Sequence, residues 1–378
     1  MIMMLCLLCQ DLDVDALKKH VEYLASDDMK GRDNNTDECR KAAQYVADQF
    51  KAAGLKPGGR DGTWFHDFET PFSANGSKKF IGRNVIGIVE GTDPELKKEY
   101  VVVNAHHDGL GIRQEKVHNG ADDNGSGCAA VIEMAKLFAK KPCKRSVMFI
   151  TFDCEEDGLL GSREFVQSKL YDEKSFAANV CFDVIGGNFL PWETERIYAL
   201  GAESGLGDAV DKAAVKGLEV VRSGIYLIEP FGATWARSDY SAFRKAGVPF
   251  VFLSAGTPWT YHTEFDDVEN MNFPKLAKAA AYASQVTQSL ADGARPAFVE
   301  KPKTDVVAEA KVMKATVDEV IKRADEMQAT AQQREALKTH AEKLAELVDH
   351  PDLKDARGRM QQAMVAVFQV VAHYRPKK

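Results

Sequence analysis

The fold of this chain is decided by residues 100–127, which read YVVVNAHHDGLGIRQEKVHNGADDNGSG. The β-branched run at 101–103 predicts a buried strand. His106 and Asp108 stand at the end of that strand, and Asp123 follows a loop just before an apolar run that predicts a helix. Open α/β sheets place their binding sites at the carboxyl ends of their strands. The stretch therefore predicts a functional site at this sheet edge, although Asp, Asn and Gly are also common in ordinary turns.

Length and composition are those of a globular protein, with 378 residues, 45% hydrophobic and 28% charged. This length accommodates one large α/β domain with an appendage, or two domains. A formal net charge of −7 argues against a nucleic-acid partner. The 7 Cys are an odd number scattered over the chain, so they predict no disulfide framework.

The first twelve residues form an apolar leader, 1–12, before the first periodic segment. The leader is too short to span a membrane and lacks the positive segment of a signal peptide. We interpret it as the tail of a truncated export signal or as a frayed N-terminus. No other run is long enough to cross a bilayer, so we expect no transmembrane segment.

Segments that predict strands alternate along residues 13–295 with segments that predict helices. This alternation predicts an α/β fold with three layers, α/β/α, around a mixed and largely parallel sheet. The predicted strands lie at 84–89, 100–105, 145–153, 179–184, 196–200, 218–221 and 248–253. The predicted helices lie at 13–27, 37–53, 127–140, 159–170, 207–215, 238–245 and 274–290.

A composition shift at Pro296 and Pro302 separates a C-terminal extension, which we place at 303–378. Apolar residues recur in it at alternating steps of four and three, which predicts a helical hairpin or a small bundle. Its function stays open among simple packing on its own domain, dimerisation and gating of substrate access.

Three further strand ends carry side chains of the metal-ligand type. Glu155 and Glu156 follow one apolar strand, Asp183 ends another, and His262 lies in a loop after the last strand. Adjacent carboxylates at a strand end point to different sides, so one can bind a metal while the other faces the substrate as a base. An unpaired Asp183 at the end of an apolar strand would be costly, and a metal would remove that cost.

The full candidate set contains imidazole and carboxylate groups without a thiolate. Its members are His106, Asp123, Glu156, Asp183 and His262. Such a set suits zinc with open coordination positions rather than a closed structural site. Two ions that share one carboxylate would lie about 3.5–4 Å apart, as in two-metal hydrolases.

Six short motifs resemble, in order and spacing, the co-catalytic double-zinc aminopeptidases, family twenty-eight of the metallopeptidases, which include the bacterial leucyl aminopeptidase type. The motifs are His106-x-Asp108, GADDNxSG from Gly120, EExGLxGS from Glu155, Asp183, RSD from Arg237 and YHT from Tyr261. The resemblance covers roughly residues 13–290 and leaves the C-terminal extension outside.

The resemblance implies a zinc peptidase fold and two Zn²⁺ ions. His106 and Asp183 would bind one ion, Glu156 and His262 would bind the other, and Asp123 would bridge them. Members of the family often hold the peptide bond that follows the bridging Asp in the cis form.

The resemblance also implies catalytic roles for residues that bind no metal. Asp108 would orient His106, as metal-bound imidazoles usually require. Glu155 would be the general base and acid, and Tyr261 would donate to the oxyanion. Arg237 is a candidate substrate contact, for a terminal carboxylate or for a peptide carbonyl.

The activity implied by the family is that of an aminopeptidase, an exopeptidase that hydrolyses the N-terminal bond of peptides through a water shared by the two metals. The partners would be peptides with a free N-terminus. Export to the periplasm or the outside of the cell is suggested by the resemblance alone, and an oligomer formed through the C-terminal helices stays open.

Three alternatives remain. A glutaminyl cyclase is an acyltransferase that uses one zinc on the same fold, although the loop after Gly120 favours two metals. A carboxypeptidase or dipeptidase would need an inserted lid domain, for which residues 183–262 leave no room. A non-enzymic, receptor-like relative would have lost ligands or the base, and this chain keeps them all.

Overall fold

The computed structural model describes residues 12–70, 79–224, 237–303 and 305–375. Nearly all of the leader, 1–11, lies outside the described residues, so its interpretation as an export signal or a frayed end stays a prediction. Among the described residues, each helix is too short or too polar to cross a bilayer.

Ten α-helices occur within the described ranges. They are α1 (Val14–Leu24), α2 (Asp37–Ala52), α3 (Gly127–Lys140), α4 (Leu160–Gln167), α5 (Gly207–Lys212), α6 (Tyr240–Lys245), α7 (Phe273–Asp292), α8 (Val306–Lys322), α9 (Ala331–Asp349) and α10 (Ala356–His373). The strands in the same ranges are β1 (Lys56–Pro57), β2 (Phe65–Glu69), β3 (Ile81–Val89), β4 (Tyr100–His106), β5 (Gly111–Arg113), β6 (Lys116–His118), β7 (Ser146–Phe152), β8 (Phe176–Phe182), β9 (Arg196–Leu200), β10 (Glu219–Ser223) and β11 (Phe250–Ser254).

In the part of the chain that the structure describes, nine strands form one mixed sheet. Their order is β1-β3-β7-β4-β8-β11-β9-β10, and β2 pairs with β3. The central strands β7, β4, β8 and β11 run parallel to one another. Antiparallel pairs flank them, β3 with β7 and β11 with β9. The parallel centre brings the carboxyl ends of four strands to one edge.

Alternate residues of β4 pack against helices on opposite faces of the sheet, as the two-residue period of a strand requires. Val101 and Val103 lie in one core cluster with residues of α1, α3 and α7. Val102 lies in a second cluster with Phe165 of α4 and Phe243 of α6. The three-layer α/β/α fold expected from the sequence is therefore confirmed.

Every helix and strand predicted between residues 13 and 290 is present, with ends shifted by a few residues. The sequence missed β1, β2 and the β5–β6 hairpin, which are five residues or shorter. Strands this short carry too little periodicity to stand out from turns. The hairpin lies inside the loop that separates His106 from Asp123.

The C-terminal extension is a three-helix bundle of α8, α9 and α10, and it packs on the α/β domain. Phe189 and Leu190, from the segment after β8, lie in the same hydrophobic cluster as the bundle's core. The ring of Phe189 meets that of Phe368 edge to face, with centroids 5.5 Å apart. The guanidinium of Arg323 lies 4.5 Å from the centre of the Trp192 ring. The division into 13–295 and 303–378 stays a prediction, since the bundle and the α/β domain share this core.

Candidate metal centre

The candidate ligands meet at the carboxyl edge of the parallel strands. His106 is the last residue of β4, Asp183 directly follows β8, and Glu155 and Glu156 come just after β7. Because β7, β4 and β8 are parallel neighbours, their ends deliver these side chains to one place. The strand-end prediction made from the sequence is met for all four residues.

The carboxylate of Asp123 lies between two imidazoles. Its Oδ1 is 3.2 Å from Nε2 of His106, and its Oδ2 is 3.1 Å from Nε2 of His262. One carboxylate that presents a separate oxygen to each histidine has the arrangement required of a ligand shared by two metals.

Each histidine has carboxylate neighbours besides Asp123. Nε2 of His106 lies 3.4 Å from Oδ1 of Asp183 and 4.0 Å from Oε2 of Glu155. Nε2 of His262 lies 3.5 Å from Oε2 of Glu156. The ligand atoms thus fall into two compact groups, each the size of one metal site. The side chain of His262 is 40% exposed, so the group around it is open to solvent.

Several polar atoms at this centre are buried without a hydrogen-bond partner, namely Nε2 of His106, Oε1 of Glu156 and Oδ1 of Asp183. Burying such atoms unpaired is costly.

Burial raises the pKa of Glu155 and of Glu156 well above the ordinary range, and neighbouring carboxylates add to the shift. Burial opposes ionisation of Asp123 as well, but the imidazoles of His106 and His262 beside its two oxygens hold the pKa of Asp123 below its usual value. Dications would relieve this crowding of carboxylates, so the residues present fit a zinc pair.

Asp108 is fully buried and links three parts of the centre. Its Oδ1 lies 3.4 Å from Nδ1 of His106, on the side of the ring away from Asp123. Its two oxygens also accept the backbone N–H groups of Glu155 and Glu156, each at 3.1 Å. Asp108 therefore stands where an orienting partner of His106 is expected, and it holds the Glu155–Glu156 turn as well.

The loop that carries Asp123 is held by two residues to which sequence reasoning assigned no role. The buried carboxylate of Asp266 accepts the N–H of Asp122 at 2.8 Å and that of Asp123 at 3.0 Å. Asn124 donates from Nδ2 to the carbonyl of Phe182 at 2.8 Å. The peptide bond between Asp123 and Asn124 is cis, as the family resemblance implied.

Arg32 is a third positioning residue that the sequence did not reveal. It is 1% exposed, and its guanidinium donates to four backbone carbonyls. These carbonyls belong to Leu24, His107, Asn119 and Gly120. The segment after α1 is thereby tied to the loops that present His106 and Asp123. The turn that contains Arg32 carries no sequence signal of this positioning role, because the acceptors are main-chain carbonyls of residues outside the turn.

Tyr261 and Arg237 lie on the open side of the centre. The ring of Tyr261 stacks on that of His262, with centroids 3.8 Å apart. The guanidinium of Arg237 lies 5.9 Å from the centre of the Tyr261 ring. Both side chains line a cavity that Asp183 also borders. Their catalytic and substrate-binding roles stay predictions.

A third group of ligand-type side chains, Cys39, His107 and Asp153, lies in the protein interior. Protein groups occupy much of its bonding capacity. The Cys39 thiol donates to Asp153 at 3.4 Å, and Asp153 also accepts the N–H of Arg83 and of Cys154, both at 2.8 Å. The Asp153 carboxylate thus already accepts three protein donors, so the groups that contain His106 and His262 fit metals better than this one does.

Comparison with known proteins extends these observations. The model of Peptidase family M28 matches residues 84–287, which is more than half of the chain. Aminopeptidase YwaD of Bacillus subtilis (strain 168) is 28% identical over 204 residues, which cover 52% of this chain and 42% of that protein. The chain thus matches less than half the length of this curated relative.

Two solved structures show the same fold. BSAP, a zinc aminopeptidase from Bacillus subtilis, superposes with a TM-score of 0.59 at 16% identity, over 77% of this chain and 99% of that chain. A glutaminyl cyclase from Bacteroides thetaiotaomicron superposes with a TM-score of 0.56 at 18% identity, over 74% of this chain and 98% of that chain. The family match contains all of the candidate metal ligands, and this chain belongs to Peptidase family M28.

Proposed function

We propose that this chain is an aminopeptidase that binds two zinc ions and hydrolyses the first peptide bond of peptides with a free N-terminus. The observation that carries the proposal is the placement of Asp123, with one oxygen toward His106 and the other toward His262. The family match and the names of the similar proteins support it.

In this proposal, His106 and Asp183 hold one zinc ion, and Glu156 and His262 hold the other. Asp123 serves both. When bound, the zinc pair would lower the pKa of a shared water toward neutrality and polarise the substrate carbonyl. The ligand types are those of catalytic zinc sites, which leave positions open for water and substrate.

Glu155 is the proton carrier in the proposed mechanism. It takes the proton of the attacking water and later gives it to the leaving amine. Its side chain is only 10% exposed and lies beside His106, so its carboxyl group is shielded from bulk water between these two steps. Asp108 keeps the Glu155 backbone in place through the N–H group that it accepts.

Tyr261 is the proposed donor to the oxyanion. Its ring stacks on that of His262, and burial together with the nearby carboxylates of Asp123, Asp183 and Glu156 raises the pKa of Tyr261. A preorganised donor of this kind stabilises the negative charge that develops on the carbonyl oxygen. Arg237, next to Tyr261, is the proposed contact for a peptide carbonyl of the substrate.

The metal count is the first test. We expect two zinc ions per chain in protein purified without a chelator, measured by elemental analysis against protein concentration. The reason is that two groups of ligand-type atoms lie side by side, His106, Glu155 and Asp183 in one and Asp123, Glu156 and His262 in the other, and Asp123 also approaches His106. A saturating value of one ion per chain would favour the glutaminyl cyclase alternative, whose fold this chain shares.

The direction of attack is the second test. Carboxylates dominate the centre, so negative charge should remain to receive a substrate ammonium group. A carboxypeptidase would instead need a fork of basic groups for the terminal carboxylate. We expect a short peptide with a free N-terminus to be cleaved from that end, and the same peptide with an acetylated N-terminus to be spared. Mass spectrometry of the products distinguishes the outcomes. Equal cleavage of both, or release of the C-terminal residue first, would contradict the aminopeptidase assignment.

A further inference from the structure

A cavity of about 210 Å³ lies between the candidate metal centre and the C-terminal bundle. The α/β domain supplies one wall, which includes Asp183 and Tyr261 at the metal centre and Val184, Leu200 and Phe252 beyond them. A ligand in this cavity therefore lies next to the proposed reacting groups.

The bundle supplies the opposite wall. Val312, Met313 and Thr316 of α8 line the cavity, and so do Met364 and Phe368 of α10. Thr316 lies three or four residues after Met313 and Val312, and Phe368 lies four after Met364, so the positions within each helix share one face. The bundle lies beyond residues 84–287, the region that the family model matches. This wall is therefore built by a part of the chain that the family domain does not include.

The contacts that seat the bundle also hold this wall in place. Glu309 of α8 accepts the hydroxyl of Ser223 at 2.7 Å and the N–H of Gly224 at 2.6 Å, at the end of β10. Phe189 packs edge to face on Phe368. Both helices of the wall thus contact the α/β domain. The cavity is therefore formed by the folding of the whole chain.

Size and chemistry define the occupant. An apolar cavity of roughly 150 Å³ holds a benzene ring, so this one has room for a large side chain. Most side chains that line it are aliphatic, aromatic or thioether groups. The charged groups among them, Asp183 and Arg237, belong to the metal centre and its rim.

We propose that the C-terminal bundle forms the wall of the pocket that receives the side chain of the substrate's N-terminal residue, and that Met364 and its neighbours on this wall set a preference for large apolar residues. The inference rests on the proposed aminopeptidase function. It gives the C-terminal extension a part in substrate selection, since neither half of the chain encloses the cavity alone.

Met364→Trp tests the inference by filling the cavity from the bundle side. Met364 is half-buried at the edge of the bundle core and borders the cavity, so we expect the added volume of tryptophan to extend into the cavity. We expect kcat/KM for leucine and phenylalanine p-nitroanilides to fall at least about tenfold relative to alanine p-nitroanilide, the scale on which apolar pockets discriminate. In a series of Leu-X dipeptides, only the second residue varies. The variant and the wild type should hydrolyse the members of this series in the same order of preference.

Two further variants complete the experiment. Gln362→Trp places the same ring on an exposed position of α10 outside the cavity, and it should retain the wild-type ratios. Met364→Ala enlarges the pocket and should raise the ratio of tryptophan to leucine p-nitroanilide hydrolysis by a factor of about ten. Unchanged first-residue ratios in both Met364 variants, or a change confined to the second residue, would overturn the pocket assignment while the aminopeptidase proposal stands. If the metal-loaded wild type hydrolyses none of these substrates, both proposals fail.

Discussion

Glu155→Gln is expected to lower kcat by about 10²–10⁴-fold while both metal ions stay bound, because a general base contributes about that much. The glutamine amide has nearly the shape of the carboxyl group but cannot accept the proton of the attacking water. Asp108 bonds to the backbone N–H of Glu155, so this contact survives the substitution. Steady-state kinetics on a leucine substrate and metal analysis of the same sample check the two parts.

A matched control for this variant is Asp157→Asn, two residues further along the same turn. Asp157 accepts from Nδ2 of Asn34 at 2.7 Å and lies outside both metal groups. We expect it to keep its metals and most of its turnover. Near-normal kcat in metal-loaded Glu155→Gln would remove Glu155 from the mechanism. Loss of one metal would make Glu155 a ligand, a role that its 4.0 Å distance to Nε2 of His106 leaves open.

The strand ends could be located from the sequence because each follows an apolar run. Asp183 is an example, since a carboxylate at the end of a buried strand needs a partner. The same logic brought His106, Glu155 and Glu156 to one sheet edge, and the structure places all of them there. Parallel strands made this possible, because their carboxyl ends share one side of the sheet.

The choice between Asp122 and Asp123 could not be made from local chemistry, since adjacent aspartates look alike in a sequence. Only the family resemblance separated them. In the structure, the carboxylate of Asp122 accepts the N–H groups of Gly186 and Gly187, at 2.7 Å and 2.9 Å, which turns it away from the histidines. Asp123 is left free to face His106 and His262. The distinction between Asp122 and Asp123 depends on a tertiary contact with the segment after β8. The periodicity of the sequence does not predict such a contact.

Long-range positioning contacts account for most of what sequence reasoning missed. Arg32 and Asp266 hydrogen-bond to main-chain groups of residues far away in the sequence. Because every residue has such groups, the residue types do not indicate which of them will be bound. The bundle was predicted from its apolar spacing, but the same spacing does not show which face meets the α/β domain. Met364 and Phe368 became candidates for substrate contact only when the helices were seen against Asp183 and Tyr261.

Asp123→Asn should have the largest effect on metal content, because Asp123 is the side chain that, among the described residues, approaches both His106 and His262. An amide offers a single neutral oxygen, so at most one of the two sites keeps its ligand. The backbone contacts of the loop with Asp266 do not involve the replaced group. We expect fewer than two zinc ions per chain, and a loss of activity larger than the roughly 10–100-fold that follows removal of an outer partner of a metal ligand.

The neighbouring substitution Asp122→Asn is the control for this prediction. Its amide cannot accept both Gly186 and Gly187, so the variant should lose about 1–3 kcal/mol of stability for the unpaired N–H. Its metal content at saturation should nevertheless stay at two ions per chain, since Asp122 faces away from the histidines. Elemental analysis after dialysis against a fixed zinc concentration compares the two variants. The opposite result, two tightly bound ions in Asp123→Asn and metal loss in Asp122→Asn, would show that Asp122 is the bridging residue. Asp122 would then have to turn toward the centre when metal binds.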